Sequence, residues 1–301
     1  MRRVCAVIVT YNRAELLCRC VSALLKQNFE LDILIYDNHS TVDTKQALMD
    51  NGLLCDNVFY FYASENSGGA GGFHNGMKMA MEKGYDDLLL MDDDGYAINE
   101  DTVRELIDVR ERVGDFAIVN SLVICDSETL QLSFSVDRGY DGKAIQERAE
   151  DGVFAGCINP FNGTLISSQV VEKIGYTRKE YFVYGDENEY TIRAKKNGVY
   201  LCTAVNSLYY HPTNITGMKK FLGYYFPVQD IPMWKLYCAS RNKANYMKQY
   251  YKWPAVAKFV LRMYSGLLFT KKKRIQKFKC MRRGMKDGFK GYFDRELDFS
   301  R

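Results

Sequence analysis

The sequence predicts an α/β protein: a mostly parallel central sheet flanked by helices, followed by a basic helical C-terminal extension. Three observations carry this. Short apolar runs rich in β-branched residues alternate with segments of helical apolar spacing through the first part of the chain. Glycines or turn residues punctuate the joins. Charge is strongly divided: residues 235–301 hold 19 Lys and Arg against 4 Asp and Glu, leaving 22 basic and 33 acidic residues in 1–234.

Val4–Thr10 is an apolar run suited to a buried strand. Arg13–Gln27 places Leu16, Leu17, Cys20 and Leu24 on one helical face. Asp32–Asp37 predicts a second strand, Thr44–Asn51 a short helix stopped by Gly52, and Val58–Tyr62 a third strand. Gly69–Gly84 is a glycine-led helix, Asp87–Met91 a strand, Asp101–Val113 a helix and Phe116–Asn120 a further strand. Strand–helix alternation of this kind gives a mostly parallel sheet. Residues 121–160 are irregular and strand-like, with a turn at Gly139–Gly142. Lys179–Asn197 joins an acidic cluster to a helix ending at Gly198, and Val199–Tyr210 is strand-like. Tyr237–Tyr251, Ala255–Phe269 and Lys271–Lys290 are helical. The charge division places a catalytic domain at 1–234 and a basic helical region at 235–301.

Of the 301 residues, 47% are hydrophobic and 26% charged, with 5 Pro, which excludes a disordered or collagen-like chain. No apolar run reaches the roughly 18 residues of a membrane span. The N-terminal apolar run is too short for a signal peptide. The 9 cysteines form no Cys-x-x-Cys pair, as expected of reduced thiols. The expected location is cytoplasmic, with peripheral attachment to the inner face of the cell membrane as a further expectation.

Four segments can carry chemistry. In Leu88–Asp94 a buried strand runs into three carboxylates. Alternation points Asp92 and Asp94 the same way, where two carboxylates repel unless a cation lies between them. Hard oxygen ligands favour Mg²⁺ or Mn²⁺, which would hold a diphosphate; a solvated acidic turn is the plainer alternative. Glu65–Gly76 is glycine-rich and opens a helix, so its backbone N–H groups can approach an anion, or its glycines can serve close helix–sheet packing. A dinucleotide-binding fingerprint belongs in the first strand–helix turn, which here is Thr10-Tyr11-Asn12-Arg13 and lacks glycine. No phosphate loop ending in Gly-Lys-Ser/Thr is present. Tyr184–Arg193 puts carboxylates at a helix head, where they complement the dipole or supply a general base. His211 is a structural residue or a metal ligand.

Taken in order, Val9–Arg13, Tyr36–Ser40, Asn66–Gly72, Met91–Asp94 and Gly185–Tyr190 resemble the inverting family-2 glycosyltransferases of the Rossmann-like GT-A fold. The branch they resemble contains galactofuranosyltransferases and rhamnosyltransferase-like enzymes, and the resemblance spans residues 1–215. It implies that Thr10, Tyr11 and Arg13 line a nucleotide pocket and that Asp37 accepts from the base. It implies that Asn66, Gly68, Gly69, Gly71 and Gly72 approach the ribose and diphosphate, with Asp92 and Asp93 also on the donor. Asp92 and Asp94 match a metal-binding Asp-x-Asp, completed by His211. Glu187 inherits the catalytic base by position, with Asp186 as alternate. Asn162 falls on the acceptor side.

The implied reaction is metal-dependent inverting transfer of a hexose from a nucleotide sugar, a UDP-sugar favoured and galactofuranose first, to a glycan or lipid-linked acceptor in cell-surface polysaccharide synthesis. A nucleotidyltransferase, or a non-catalytic nucleotide-sugar or glycan-binding module of the same fold, are the alternatives. The basic C-terminal helices carry aromatic and aliphatic residues beside Lys and Arg, a composition suited to an anionic membrane surface. A solvated face or a homo-oligomer contact are its alternatives. No nucleic-acid-binding motif accompanies the charge.

Overall fold

A computed structural model describes residues 2–134, 140–156, 159–213, 218–221, 224–227, 231–270 and 272–294. In chain order the elements are β1 (Val4–Thr10), α1 (Ala14–Leu24), β2 (Asp32–Asp37), α2 (Thr44–Asp50), β3 (Val58–Tyr62), α3 (Gly68–Glu82), β4 (Asp87–Asp92) and β5 (Tyr96–Ala97). They continue with α4 (Thr102–Val113), β6 (Ala117–Asp126), β7 (Gln131–Leu132), α5 (Gly142–Glu147), β8 (Val153–Ala155), β9 (Asn162–Ser167), α6 (Ser168–Ile174), α7 (Asp186–Lys196) and β10 (Tyr200–Tyr210). The last are β11 (Met218–Phe221), β12 (Tyr224–Pro227), α8 (Met233–Tyr250), α9 (Trp253–Ser265) and α10 (Arg274–Lys290). The chain divides into two compact units, one of Met1–Lys179 with Tyr190–Asn214, the other of Glu180–Glu189 with Ile215–Arg301.

The first unit is built on a ten-stranded sheet whose main path runs β3-β2-β1-β4-β9-β6-β10-β5. β1 pairs parallel with β2 and β4, β2 with β3, and β6 with β10. β9 lies antiparallel between β4 and β6. The sheet therefore keeps a mostly parallel order among its long strands, with β9 reversed at the centre and the short β5, β7 and β8 also antiparallel to their partners. Side chains alternate across it. Val4, Ala6 and Ile8 of β1 enter one core with α1 and α4, while Cys5, Val7 and Val9 enter the other with α3 and α6. Both faces are covered, which explains why β1 is apolar at nearly every position.

Several elements depart from the sequence expectation. β6 runs on to Asp126, well past Asn120. Residues 121–160, expected to be strand-like, also contain α5, whose first turn is capped by Asp141 accepting from Ala144 N–H at 2.8 Å. Of the turn expected at Gly139–Gly142, Gly139 lies outside the described residues and Gly142 begins that helix. α6 was unexpected; Ser167 caps it by accepting from Val170 N–H at 3.2 Å. α8 starts at Met233, just after Pro232, rather than at Tyr237. Lys271 lies outside the described residues, and α10 begins at Arg274.

The second unit packs α8, α9 and α10 around Leu236, Ala244, Phe259, Met263, Leu267, Met281 and Met285. Gly284 and Gly288 let α10 lie directly on α8: a Cβ at Gly284 would stand 2.7 Å from the Tyr237 carbonyl, and one at Gly288 would meet the Arg241 carbonyl. No disulfide joins the described cysteines. No helix among the described residues is long and apolar enough to cross a membrane.

Candidate active site

The C-terminal end of β4 delivers the acidic triplet. Val9 of β1 stands beside Asp92, so the end of β1 and the start of the α1 turn face the carboxylates. Thr10 Oγ1 donates to Asp93 Oδ2 at 2.8 Å. One Arg13 nitrogen donates to Asp93 Oδ1 at 3.0 Å and to Asp94 Oδ2 at 2.8 Å. Arg13 thus holds both Asp93 and Asp94, and only the second Asp94 oxygen, Oδ1, is left toward His211. Gly95 follows because a Cβ there would run into the Tyr209 ring.

His211 comes from the chain just after β10. Its Nδ1 lies 2.7 Å from the Pro212 carbonyl, an acceptor, so Nδ1 carries the proton. Its Nε2 stands 3.2 Å from Asp94 Oδ1. Asp92, Asp94 and His211 offer one ligand atom each within 4.8 Å of one another. Burial, then the neighbouring Asp94 and Asp93, push Asp92 up to about 8. Burial also opposes ionisation of Asp94, but His211 and Arg13 outweigh it and lower its pKa. Burial works against the charged form of His211, and Asp94 overcomes this and raises it. Asp94 Oδ1 is buried and accepts no hydrogen bond while the His211 ring carries its proton on Nδ1, leaving Nε2 to face it as a lone pair. Crowded carboxylates, an imidazole whose second nitrogen is already anchored, and an orphaned anionic oxygen form a donor set that fits a hard divalent cation.

A second constellation surrounds the glycine-rich helix start. Asn38 Oδ1 accepts from Ser67 N–H and Ser67 Oγ, both at 3.0 Å, and its Nδ2 donates to the Gly68 carbonyl at 2.8 Å. Asn66 Oδ1 accepts from Gly68 N–H at 2.9 Å. Asn38 therefore ties the end of β2 to the loop. The glycines divide by role. A Cβ at Gly72 would stand 2.5 Å from Val9 Cγ1 and one at Gly76 2.5 Å from Val7 Cγ1, so these two serve helix–sheet packing. At Gly71 a Cβ would meet the Ser67 side chain, whereas Gly69 faces open space. Asp37 is fully buried, its Oδ1 accepting from Ser40 N–H at 2.8 Å and its Oδ2 from Tyr60 OH at 2.7 Å. A base would have to add to those two bonds. Tyr11 is exposed beside Thr10.

Asn162 begins β9 opposite Met91, and Asp92 N–H donates to the Phe161 carbonyl at 3.0 Å, so Asn162 adjoins the acidic strand end. Its Nδ2 donates to the Pro160 carbonyl at 3.1 Å, and its buried Oδ1 accepts no hydrogen bond. Asp186 and Glu187 belong to the other unit. Asp186 is buried at the first position of α7. Glu187 Oε2 accepts from Gly185 N–H at 3.1 Å and Oε1 from Asn188 Nδ2 at 2.8 Å. Within the first unit the structure gathers Thr10, Arg13, Asp92, Asp93, Asp94 and His211 into one cluster and Asn66 and Gly68 into a second. Asn38, which the sequence did not single out although it lies inside the Tyr36–Ser40 segment, is the side chain that holds this loop.

An α/β sheet with carboxylates and an imidazole gathered at its strand ends is a site suited to a divalent cation and a phosphorylated ligand. Residues 5–166 match the model of "Glycosyl transferase family 2". The chain is 28% identical over 228 residues to galactofuranosyltransferase GlfT1 of Mycolicibacterium smegmatis, covering 73% of this chain and 74% of that one. It is 30% identical over 222 residues to GlfT1 of Mycobacterium tuberculosis H37Rv, covering 72% of each. The fold is similar to the mannosyltransferase PcManGT of Pyrobaculum calidifontis, solved with GDP-Man and Mn²⁺, at TM-score 0.55 and 13% identity, covering 94% of this chain and 74% of that one. It is also similar to GalNAc-T7, solved with UDP, GalNAc and Mn²⁺, at TM-score 0.63 and 12% identity, covering 96% and 56%. The chain belongs to glycosyl transferase family 2, on its galactofuranosyltransferase branch, and its fold is GT-A.

Proposed function

We propose that this glycosyltransferase is a metal-dependent inverting enzyme that moves a hexose, galactofuranose first, from a UDP-sugar to a glycan or lipid-linked acceptor. The observation that carries the reading is the Asp92, Asp94 and His211 cluster with its orphaned Asp94 Oδ1. Similarity to the two GlfT1 relatives supports the donor, and the titles of the PcManGT and GalNAc-T7 structures support a nucleotide sugar with a divalent ion.

Asp92, Asp94 and His211 would hold Mn²⁺ or Mg²⁺. When bound, the cation neutralises charge on the leaving nucleoside diphosphate. Arg13 fixes Asp93 and Asp94 in place and, with Thr10 and Tyr11, would line the nucleotide side. Asp37 and the Asn66–Gly72 loop would meet the base, ribose and diphosphate. Glu187, with Asp186 as alternate, would take the proton of the acceptor hydroxyl as the sugar carbon gains positive charge. Asn162 would face the acceptor.

We also assign the second unit to an anionic membrane surface reached from the cytoplasm. Trp253, Leu261, Leu268 and Ile275 are 70–75% exposed, among Lys258, Arg262, Lys272, Lys273 and Arg274. Apolar side chains amid cations suit the headgroup boundary. Flotation with phosphatidylglycerol vesicles tests this: binding that weakens with salt supports it, and equal binding to neutral vesicles contradicts it.

The function itself is tested with a panel of nucleotide sugars, with and without Mn²⁺, reading product and its anomeric configuration. Metal-dependent product of inverted configuration is expected. Retention of configuration, or full turnover after chelation, overturns the mechanism.

A further inference from the structure

The carboxylates of Asp186 and Glu187 follow a short segment of costly backbone. Phe182 has φ 64°, Tyr184 φ 64° and Gly185 φ 90°, and α7 begins at the next residue. Left-handed φ is uncommon for large side chains and persists only where surroundings over-determine it. Within the same unit, those surroundings are one face of α8.

Asn242 is completely buried and donates through Nδ2 to the carbonyls of Tyr181 at 2.9 Å, Val183 at 3.0 Å and Tyr184 at 2.7 Å. Its Oδ1 accepts from Arg241 Nε at 2.9 Å, which fixes which way the amide faces. Arg241 is 1% exposed, and its Nη2 donates to the carbonyls of Glu180 at 3.2 Å and Tyr181 at 2.9 Å. Two turns further along α8, Tyr250 OH donates to Glu189 Oε1 at 2.6 Å in the first turn of α7. A buried guanidinium is costly unless its donors are satisfied. Here Arg241 and Asn242 together direct five of their hydrogen bonds to the carbonyls of four of the five residues 180–184, all but Phe182.

We propose that Asn242, braced by Arg241, is a positioning residue for glycosyl transfer: it holds the 180–185 loop in the conformation that presents Asp186 and Glu187. This rests on the reading of that pair as the source of the base. Asn242 acts through the loop backbone and touches no substrate. The oxygens it holds belong to Tyr184, whose φ is positive, and to the residues on either side of Phe182, whose φ is positive too, so removing the amide releases the segment just ahead of the carboxylates. A loose fit of about 1 Å at a reacting group costs on the order of 100-fold in rate.

The test compares Asn242→Ala, Glu187→Gln and the double variant, with turnover scaled to the number of UDP sites titrated in Mn²⁺. Asn242→Ala should lower kcat by about 10- to 100-fold, with donor KM and UDP affinity changed by less than about 2-fold. In the Glu187→Gln background the same substitution should lower kcat no further, because the two act as a unit. A purely structural role predicts lost thermal stability with normal kcat per site, or losses that multiply in the double variant; either result overturns the proposal. If Asn242→Ala does not fold, Asn242→Asp keeps the volume, removes the donor and should give the same kcat loss. Full turnover in both Glu187→Gln and Asp186→Asn would sink the underlying base assignment instead. Inactive Glu187→Gln beside fully active Asn242→Ala would sink only the positioning role.

Discussion

The two acidic clusters are built by opposite means. Asp92, Asp93 and Asp94 sit at a strand end fixed on both sides by neighbouring strands, and their instability is electrostatic: carboxylates crowd one another, and one oxygen has no hydrogen-bond donor. Asp186 and Glu187 sit at a helix head, where negative charge is welcome, and their cost lies in the backbone before them, at Phe182 and Tyr184. The first cluster therefore calls for a cation and the second for a clamp. The end of an interior strand supplies geometry without charge balance, and a helix head supplies charge balance without geometry.

The sharpest way to break this contrast is to remove a carboxylate from the first cluster. Asp92→Ala or Asp94→Ala should lower Mn²⁺-supported turnover by about 1000-fold or more. Undiminished turnover in either variant would mean that the cluster is only a charged turn. In the second cluster, Glu187→Gln should lower kcat by roughly 100- to 10,000-fold while donor affinity moves by less than a few fold. Loss of donor binding with surviving turnover would assign Glu187 to the donor side.

Arg110 gives a stability control remote from this chemistry. Its Nε lies 2.8 Å from Asp87 Oδ1, with the two side chains 1% and 0% exposed. Arg110→Ala leaves the buried Asp87 carboxylate with Arg2 alone, at 3.4 Å, and should lower the unfolding free energy by about 3 kcal/mol in urea titration, without changing kcat of the folded fraction. The smallest contrast lies among the glycines. Gly72→Ala presses a methyl on Val9 and should cost about 1–3 kcal/mol, while Gly69→Ala enters open space and should cost under about 0.5 kcal/mol. Equal destabilisation by the two would remove the division of roles within the loop.

Much of the first unit was legible in the sequence because its strands and helices keep separate periods. β1, β2, β3 and α4 lie within one or two residues of the expected bounds. The reversal of β9 was not legible: nothing in Asn-Gly-Thr-Leu-Ile-Ser marks which way the strand runs, and burial of all six residues between β4 and β6 is a property of the folded sheet. α5 and α6, of six and seven residues, are too short to show helical spacing. The acidic triplet was legible because an apolar run leads straight into it, although the strand ends at Asp92 and a turn, not strand alternation, sets the directions of Asp93 and Asp94. The packing role of Gly72 and Gly76 was open until Val9 and Val7 were seen beneath them. Arg241 and Asn242 left no local signal, since the carbonyls bound by Asn242 lie 58 to 61 residues away.

Calorimetric titration of UDP into the wild-type chain and into Asp94→Ala, each with and without Mn²⁺, tests the central claim most directly. Binding by the wild type that strengthens at least about tenfold with Mn²⁺, and a variant in which Mn²⁺ adds nothing, is the predicted result. The same Mn²⁺ dependence in both proteins would contradict it.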